Sequence, residues 1–437
     1  MMTHNMARYD AYKSTDSLWF NEVPVHWKNG RVKDFVDINA LAKVPTDLND
    51  DDLVEFVPMT NVNEDLGEIK QFNFVPINDV SSGYTKFRNG DVIFAKITPC
   101  MENGNCAIVS GLSHNIGFGS TEFMVFRTSS KLTQKYLHYF LYNELFRRNA
   151  EPFMKGTAGQ KRISSHYMAT HYFALPPLDE QKAIAAYLDT KTTQIDRKID
   201  MLTQKVTQYS KLKQSLINET VTRGLDKTVV MKDSGIEWIG EVPEHWRSLR
   251  IHDCAVPTKN KNIGLQNKNL LSLSYGKIKK RNFNTSFGLL PASFETYQIV
   301  NNGNIILRLT DLQNDKKSLR VGLVTQKGII TSAYLCLKFK NWIDPVFSYY
   351  LLHLYDISKV FYWYGGGLRS TMKFDDIKVL PFLVPPLLEQ KAIATYLNTK
   401  TSHIDSIVET INAQIEKLKD LRKTLINDVV TGKIKVV

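Results

Sequence analysis

"PPLDEQKAIAAYLDTKTTQID" occupies Pro176–Asp196, and "PPLLEQKAIATYLNTKTSHID" occupies Pro385–Asp405. The same stretch is written twice, and the apolar positions that follow keep step. Ile184, Leu188, Ile195, Ile199, Leu202, Val206, Tyr209, Leu212 and Leu216 equate with Ile393, Leu397, Ile404, Val408, Ile411, Ile415, Leu418, Leu421 and Leu425, always at an offset of 209. Within each copy the steps are three, four and once seven, a heptad-like stripe on one face of a helix. Each copy starts behind a Pro-Pro pair that no helix continues through, and each ends near a glycine, Gly224 or Gly432. Two long helices are therefore expected, each a rod on the order of 60 Å at about 1.5 Å per residue. So narrow an apolar stripe needs a partner, and the other copy is the obvious one.

A second marker fixes the size of the repeating unit. "SLWFNEVPVHW" (Ser17–Trp27) matches "IEWIGEVPEHW" (Ile236–Trp246) at an offset of 219, so the material between markers is ten residues shorter in the second half. The first marker lacks an equivalent of Gly240, so its turn is expected to differ. Between the markers "GDVIFAKIT" (Gly90–Thr98) aligns with "GNIILRLT" (Gly303–Thr310), and "GSTEFMVFR" (Gly119–Arg127) with "ITSAYLCLK" (Ile330–Lys338). Short β-rich runs between Gly and Asn turns read as strands. The expected order is a globular α/β unit (1–177), a long helix (178–222), a second globular α/β unit (223–384) and a second long helix (385–437).

Composition narrows the function classes. The chain has 437 residues, 43% hydrophobic and 23% charged, which suits a soluble multidomain protein. It shows no apolar run of membrane-spanning length and no signal-peptide core, so a cytoplasmic location and no membrane partner are expected. Cys100, Cys106, Cys254 and Cys336 form no CxxC pair and read as buried or free thiols, with no metal site. A formal net charge of +12 points to a polyanionic partner. Residues 233–384 hold 20 Lys+Arg against 12 Asp+Glu, whereas 1–175 hold 18 against 19, so most of that charge belongs to the second globular unit.

Catalytic motifs are missing from the reading. There is no GxxxxGK[ST] phosphate loop, and Gly365–Gly367 lead into "LRST" without a lysine. "LPPL" and "VPPL" resemble the proline pair of amino-methyltransferases only superficially, because the acidic or amide residue and the aromatic are missing. Glu68-Ile69-Lys70 has a nuclease-like spacing too short to mean much. The pairs Glu180-Gln181 and Glu389-Gln390 read as first-turn residues favoured by the helix dipole.

Nucleic-acid signals are better. "TKNKN" (Thr258–Asn262) and "GKIKKRNFN" (Gly276–Asn284) interleave cations with amides, the residue types that grip phosphates and read base edges. The candidates there are Lys259, Lys261, Lys277, Lys279, Lys280 and Arg281. Two further places recur in both halves: Lys96 and Thr98 opposite Arg308 and Thr310, and the glycine-rich "GTAGQKR" (Gly156–Arg162) opposite "GGGLRST" (Gly365–Thr371). These add Lys155, Gln160, Lys161, Arg162 and Arg369, and Asn103 and Asn105 complete the set in the first half.

Taken together, "EVPxHW" opening each half, "PPLxEQKAIAxYLxTKT" opening each helix, and "LINETVTRG" and "LINDVVTGK" closing them resemble the specificity subunit of type I restriction-modification systems, over essentially the whole chain. The resemblance implies an α+β protein: two globular target-recognition domains separated by two long helices in an antiparallel coiled coil, with a pseudo-twofold internal repeat. It implies that the subunit reads a bipartite site in double-stranded DNA and is itself non-catalytic. It also implies assembly with two methyltransferase subunits and two restriction/translocase subunits. S-adenosylmethionine, ATP and Mg would then belong to those partners, and the chain would need no cofactor of its own. In that arrangement Ile184, Leu188, Ile195, Ile199, Leu202, Val206 and Ile393, Leu397, Ile404, Val408, Ile411, Ile415 form the helical interface, and helix length sets the gap between half-sites. The competing readings are a self-contained DNA methyltransferase or nuclease, and a coiled-coil scaffold that binds no DNA.

Overall fold

A chain that writes one helix twice can bury each copy's stripe against the other, and the molecule divides accordingly. The computed structural model describes residues 7–15, 21–157, 159–281, 293–310, 312, 319–364 and 371–436. It forms two compact units, one of residues 1–202 with 413–437 and the other of residues 203–412. Both long helices are continuous, Leu178–Arg223 and Leu387–Val430, and each contributes a part to each unit.

In the first unit an antiparallel sheet runs in the order Cys106–Ile108, Val92–Ala95, Phe123–Thr128, Val36–Ile38. The second unit repeats this order with Val321–Leu323, Ile305–Leu307, Leu335–Phe339 and Ala255–Thr258. The aligned pairs "GDVIFAKIT"/"GNIILRLT" and "GSTEFMVFR"/"ITSAYLCLK" are thus the two inner strands of equivalent sheets. The covered positions of these strands are apolar because both faces are buried there, while Arg127, Thr128 and Lys338 lie at less buried positions. Val92 and Phe94 face the helical core while Ile93 faces the smaller core of the second sheet; Ile305 and Leu307 against Ile306 divide the same way. Gly90 (φ +88) and Gly303 (φ +84) make the turn entering the edge of this strand, where the left-handed backbone favours glycine.

The second sheet diverges. The first unit has Asn73–Pro76, Leu53–Val57, Gly117–Gly119 and Thr85–Phe87, with Leu53–Val57 parallel to Gly117–Gly119. In the second unit Gln298–Val300 and Gly328–Ile330 pair likewise, but the parallel contact shrinks to one bridge, Leu270 to Ile329, beside the hairpin Leu271–Ser274/Lys277–Lys280. An extra edge strand, Asn260–Lys261, joins Gln298–Val300.

The repeated motifs lie where each module meets its helices. Glu180 is buried and takes a hydrogen bond from Trp27 Nε1 (3.1 Å), a contact from His26 Nε2 (2.8 Å) and the Tyr9 hydroxyl. Glu389 takes the same contacts from Trp246 (3.1 Å) and His245 (2.8 Å). Gln181 accepts from Thr133 N (2.9 Å) and donates to Lys131 O and Pro176 O; Gln390 does so with Asp344 N (2.7 Å), Trp342 O and Pro385 O. Glu180 and Glu389 do lie in the first turns of the long helices, and the Glu-Gln pairs are clamps as well: each binds the EVPxHW segment on one side and the start of a core helix, Gln134–Tyr142 or Pro345–Ile357, on the other.

Glycine closes each joint. A Cβ on Gly432 (φ +74) would lie 2.5 Å from Pro24 Cδ, and one on Gly224 (φ +75) would lie 2.9 Å from Glu389 Oε1. So within the first unit the end of the second helix lies at Trp27 beside Glu180, while further along Arg422 pairs with Asp196 (3.1 Å). Numbers rise along one helix as they fall along the other, so the two segments run antiparallel. Within the second unit Gly224 beside Glu389 and Lys213 paired with Asp405 (2.6 Å) give the same direction.

Of the stripe read from sequence, Ile184, Leu188, Ile195, Ile393, Leu397, Ile404, Ile411 and Ile415 are buried, and Ile199, Leu202, Val206 and Val408 are half-buried. Leu212 is 53% exposed, and Ile217 and Val221 take the buried positions instead. The reason is that Lys213 and Arg422 occupy the seam, which a count of apolar residues passes over. All four cysteines are free, three of them buried.

Candidate nucleic-acid interface

In the first module the structure gathers two segments that lie far apart in sequence. Lys155 and Arg162 bridge each other, Ile97 bridges Arg162, Thr98 N donates to Lys161 O (2.9 Å), and Lys161 N donates to Thr98 Oγ1 (3.1 Å). The loop 155–162 thus folds onto the strand end 96–98, so Lys96, Thr98, Lys155, Gln160, Lys161 and Arg162 share one surface. Lys155, Gln160, Lys161 and Arg162 are exposed, and Lys96 and Thr98 are half-buried. Glu122 sits among them and accepts from Arg162 Nε (2.9 Å) and Nη2 (2.7 Å). That hydrogen bonding from Arg162 holds the Glu122 carboxyl below its usual range, with Lys96 contributing. Lys96 also lines a cleft of about 520 Å3 with Asn39–Ala42, Ser81–Lys86, Phe123 and Val125. Tyr84, 42% exposed, and Lys86 in that cleft are site candidates that sequence reading missed; a tyrosine directly after Ser-Ser-Gly was the available signal.

One first-module candidate drops out. Asn105 is 5% exposed and donates to Met59 O (3.4 Å) and Val62 O (3.5 Å), so it holds a loop in place and presents nothing outward. Asn103 is exposed and donates to Glu64 (2.9 Å). Glu68 and Ile69 pair with Asn63 and Val62, and Lys70 bonds Thr60 O (3.4 Å), so the nuclease-like tripeptide is a piece of a hairpin.

In the second module Lys259 and Lys261 are exposed at the edge strand, and the backbone of Asn262 next to them bonds Tyr297 O (2.9 Å). Arg281 lies near the same Tyr297 and lowers its pKa against the larger upward push of burial. The two lysine-rich segments therefore meet around one tyrosine. In the hairpin, the tight Tyr275-Gly276 turn (φ +45 and +73) aims Lys277 at the second helix, where it pairs with Asp405 (3.4 Å). All three lysines are exposed, but Lys277 has an ion-pair partner on the helix, with its side chain still 66% exposed. Arg308 and Thr310 are half-buried at their strand end, which is organised by Arg320. That arginine is fully buried and donates to Arg308 O (3.1 Å), Thr310 O (2.7 Å) and the Tyr362 hydroxyl (3.1 Å). Nothing local in the sequence marks it. Met372 N bonds Leu309 O (2.9 Å), the counterpart of Ile163 N to Lys96 O (2.9 Å) in the first module. Arg369 lies outside the described residues.

Among the described residues no group of three or more His, Cys, Asp or Glu is placed to hold a metal ion, and no helix is long and apolar enough to cross a membrane. What the geometry offers is twofold: two modules of one topology, each clamped by the same Glu-His-Trp joint, and in each a cluster of loops carrying cations, amides and a tyrosine.

Comparison with known proteins gives these features a context. Residues 24–207 match the family described as the type I restriction modification DNA specificity domain. The chain is 30% identical over 259 residues to the EcoAI specificity subunit of Escherichia coli, covering 59% of this chain and 41% of that one. The chain spans less than half the length of that relative. It is 24% identical over 440 residues to the putative MjaX specificity subunit of Methanocaldococcus jannaschii, covering 97% of each. Among solved structures, a chain from work on complex assembly and conformational transition of the type I R-M system superimposes with a TM-score of 0.73 at 16% identity, covering 94% of this chain and 99% of that one. The HsdS subunit from Thermoanaerobacter tengcongensis gives a TM-score of 0.52 at 17% identity, with 94% and 98% covered.

Proposed function

We propose that this chain, which belongs to the type I restriction-modification DNA specificity family, is the sequence-reading subunit of a type I complex. It reads a bipartite site in double-stranded DNA and directs partner subunits to methylate adenine at N6 or to cleave. The observation that carries this reading is the repeated joint. The same Glu-His-Trp clamp attaches each of two like modules to the start of a like helix, while the loops they display differ. Like scaffolds with unlike loops suit two unlike half-sites, and duplicated helices suit two copies of one partner.

In this reading the two helices form one antiparallel coiled coil whose length fixes the unread gap between half-sites. Residues 1–177 and 223–384 serve as recognition domains. Two methyltransferase and two restriction/translocase subunits assemble on the chain, and they carry S-adenosylmethionine, ATP and Mg. The exposed Lys155, Lys161, Lys259, Lys261, Lys279 and Lys280 grip phosphates.

The test is genome-wide mapping of modified adenines in cells carrying this protein with a type I methyltransferase subunit, against cells lacking it. The expected result is a split motif, two short blocks around a fixed gap, that appears only with this protein. If the proteins assemble and no motif appears, the reading fails and a non-recognising scaffold takes its place.

A further inference from the structure

Charge alone does not distinguish a residue that grips phosphate from one that reads a base; orientation does. A lysine on a flexible stem contributes a point charge, whereas a guanidinium held flat presents a fork matched to the two acceptors of guanine in the major groove. In the first module two arginines are held in that way, Arg127 on Asp91 with its side chain 18% exposed, and Arg162 on Glu122. Arg162 is the more open of the two: Nε and Nη2 bond the Glu122 oxygens at 2.9 and 2.7 Å, Nη1 reaches Gln160 O at 3.4 Å, and the side chain is still 44% exposed. Its backbone is fixed on both sides, by the bridges to Lys155 and Ile97.

We propose that Arg162, buttressed by Glu122, is the base-reading residue of this surface and recognises a guanine edge in the half-site read by the first module. This rests on the proposed function and names a specificity determinant within it. Glu122 is a positioning residue: spending one edge of the guanidinium on a carboxylate that is itself 22% exposed fixes the plane in advance, so less freedom is lost on binding. The exposed Lys155 and Lys161 flank the fork and supply the backbone grip, so the surface combines one oriented reader with unoriented charge. Counting back from the aligned strands, Ala333 stands where Glu122 stands, so this carboxylate is not repeated in the second module. Equivalent loops thereby read different bases.

The experiment is selection of binding sites from a randomised duplex library. It uses the full-length chain in complex with its methyltransferase subunits, as wild type and as Arg162→Lys, Arg162→Ala and Glu122→Gln. Wild type should return a split motif. Arg162→Lys keeps the charge and loses the fork, so the same motif should return with one guanine position relaxed roughly 5- to 150-fold, as expected for loss of one bidentate contact. Arg162→Ala should relax that same position, and Glu122→Gln should relax it less. An unchanged preference at every position in both arginine variants, with affinity equal to wild type or uniformly lower, overturns the proposal and leaves Arg162 a loop tether or a phosphate contact. Failure of wild type to select any motif overturns the proposed function itself, and the inference with it.

Discussion

Arg422 and Lys213 hold equivalent places in the duplicated helices, 209 residues apart, and their partners Asp196 and Asp405 are separated by the same number. The environments differ enough to predict opposite tolerance of the same change. Arg422 is 8% exposed, contacts Asp196 at 3.1 Å and donates to the Tyr142 hydroxyl at 3.0 Å, which itself bonds Glu64 O and Asp65 O in the hairpin above. Replacing it with alanine strands a half-buried carboxylate whose pKa burial already raises, and it removes the donor to Tyr142. Breaking a buried pair costs about 3–5 kcal/mol, and the 24% exposure of the Asp196 side chain lowers the expectation to about 2–4 kcal/mol. Lys213 and Asp405 have side chains 27% and 42% exposed, and Lys277 gives Asp405 a second cation, so Lys213→Ala should cost under about 1 kcal/mol. With two units in the chain a single midpoint is ill-defined, so native-state amide exchange, read segment by segment, is the assay. In Arg422→Ala the opening equilibrium of Gln134–Tyr142 should rise roughly 30- to 900-fold; in Lys213→Ala that of Pro345–Ile357 should rise less than about 5-fold. Equal losses in the two variants would refute the argument that burial, not pairing as such, sets the cost.

Burial pushes His138, His171 and His353 down to about 4, against about 6.5 unfolded. The unfolded chain therefore takes the protons first, so stability should be full above pH 6.5 and fall between 6.5 and 4, by up to about 3 kcal/mol per histidine. Segment-resolved amide exchange of His→Gln variants across that range should show a shallower fall in the unit that holds the replaced residue, and an unchanged slope there would contradict the burial argument. Lys279→Glu with Lys280→Glu, sparing the helix-bound Lys277, should weaken DNA binding and reduce the salt slope by about 2 while methyltransferase assembly persists. Full affinity in that variant would move the phosphate grip elsewhere. One extra helical turn, about 5.4 Å, in the long helices should lengthen the unread spacer by one or two base pairs of about 3.4 Å, read by mapping modified adenines. An unchanged spacer would show that helix length does not set the gap between half-sites.

The residues that are alike in the two halves do the same physical work twice, and this is why so much of the fold was legible. Glu180 and Glu389, Gln181 and Gln390, Trp27 and Trp246, Gly432 and Gly224 all lie at joints where a helix end meets a module. Each needs one atom in one place, so each is written the same way. The paired strands were legible for a related reason: where a strand is covered on both faces its residues must be apolar, whatever it displays elsewhere.

What stayed hidden depends on contacts between segments that local pattern does not encode. The seam cations Lys213 and Arg422 interrupt an apolar stripe and look like surface residues until their aspartates are seen across the pair. Lys277 looks like its neighbours Lys279 and Lys280, because only the hairpin's tight turn sends it toward Asp405. Asn105 reads as a polar candidate although it closes a buried loop, and Arg162 gains its distinction from a glutamate forty residues away. The duplication itself sharpens the functional argument here. The loops carrying Glu122 and Arg162 in one module and Lys259, Lys261 and Arg281 in the other differ while the joints stay the same, and the proposed reading of two different half-sites requires such a difference.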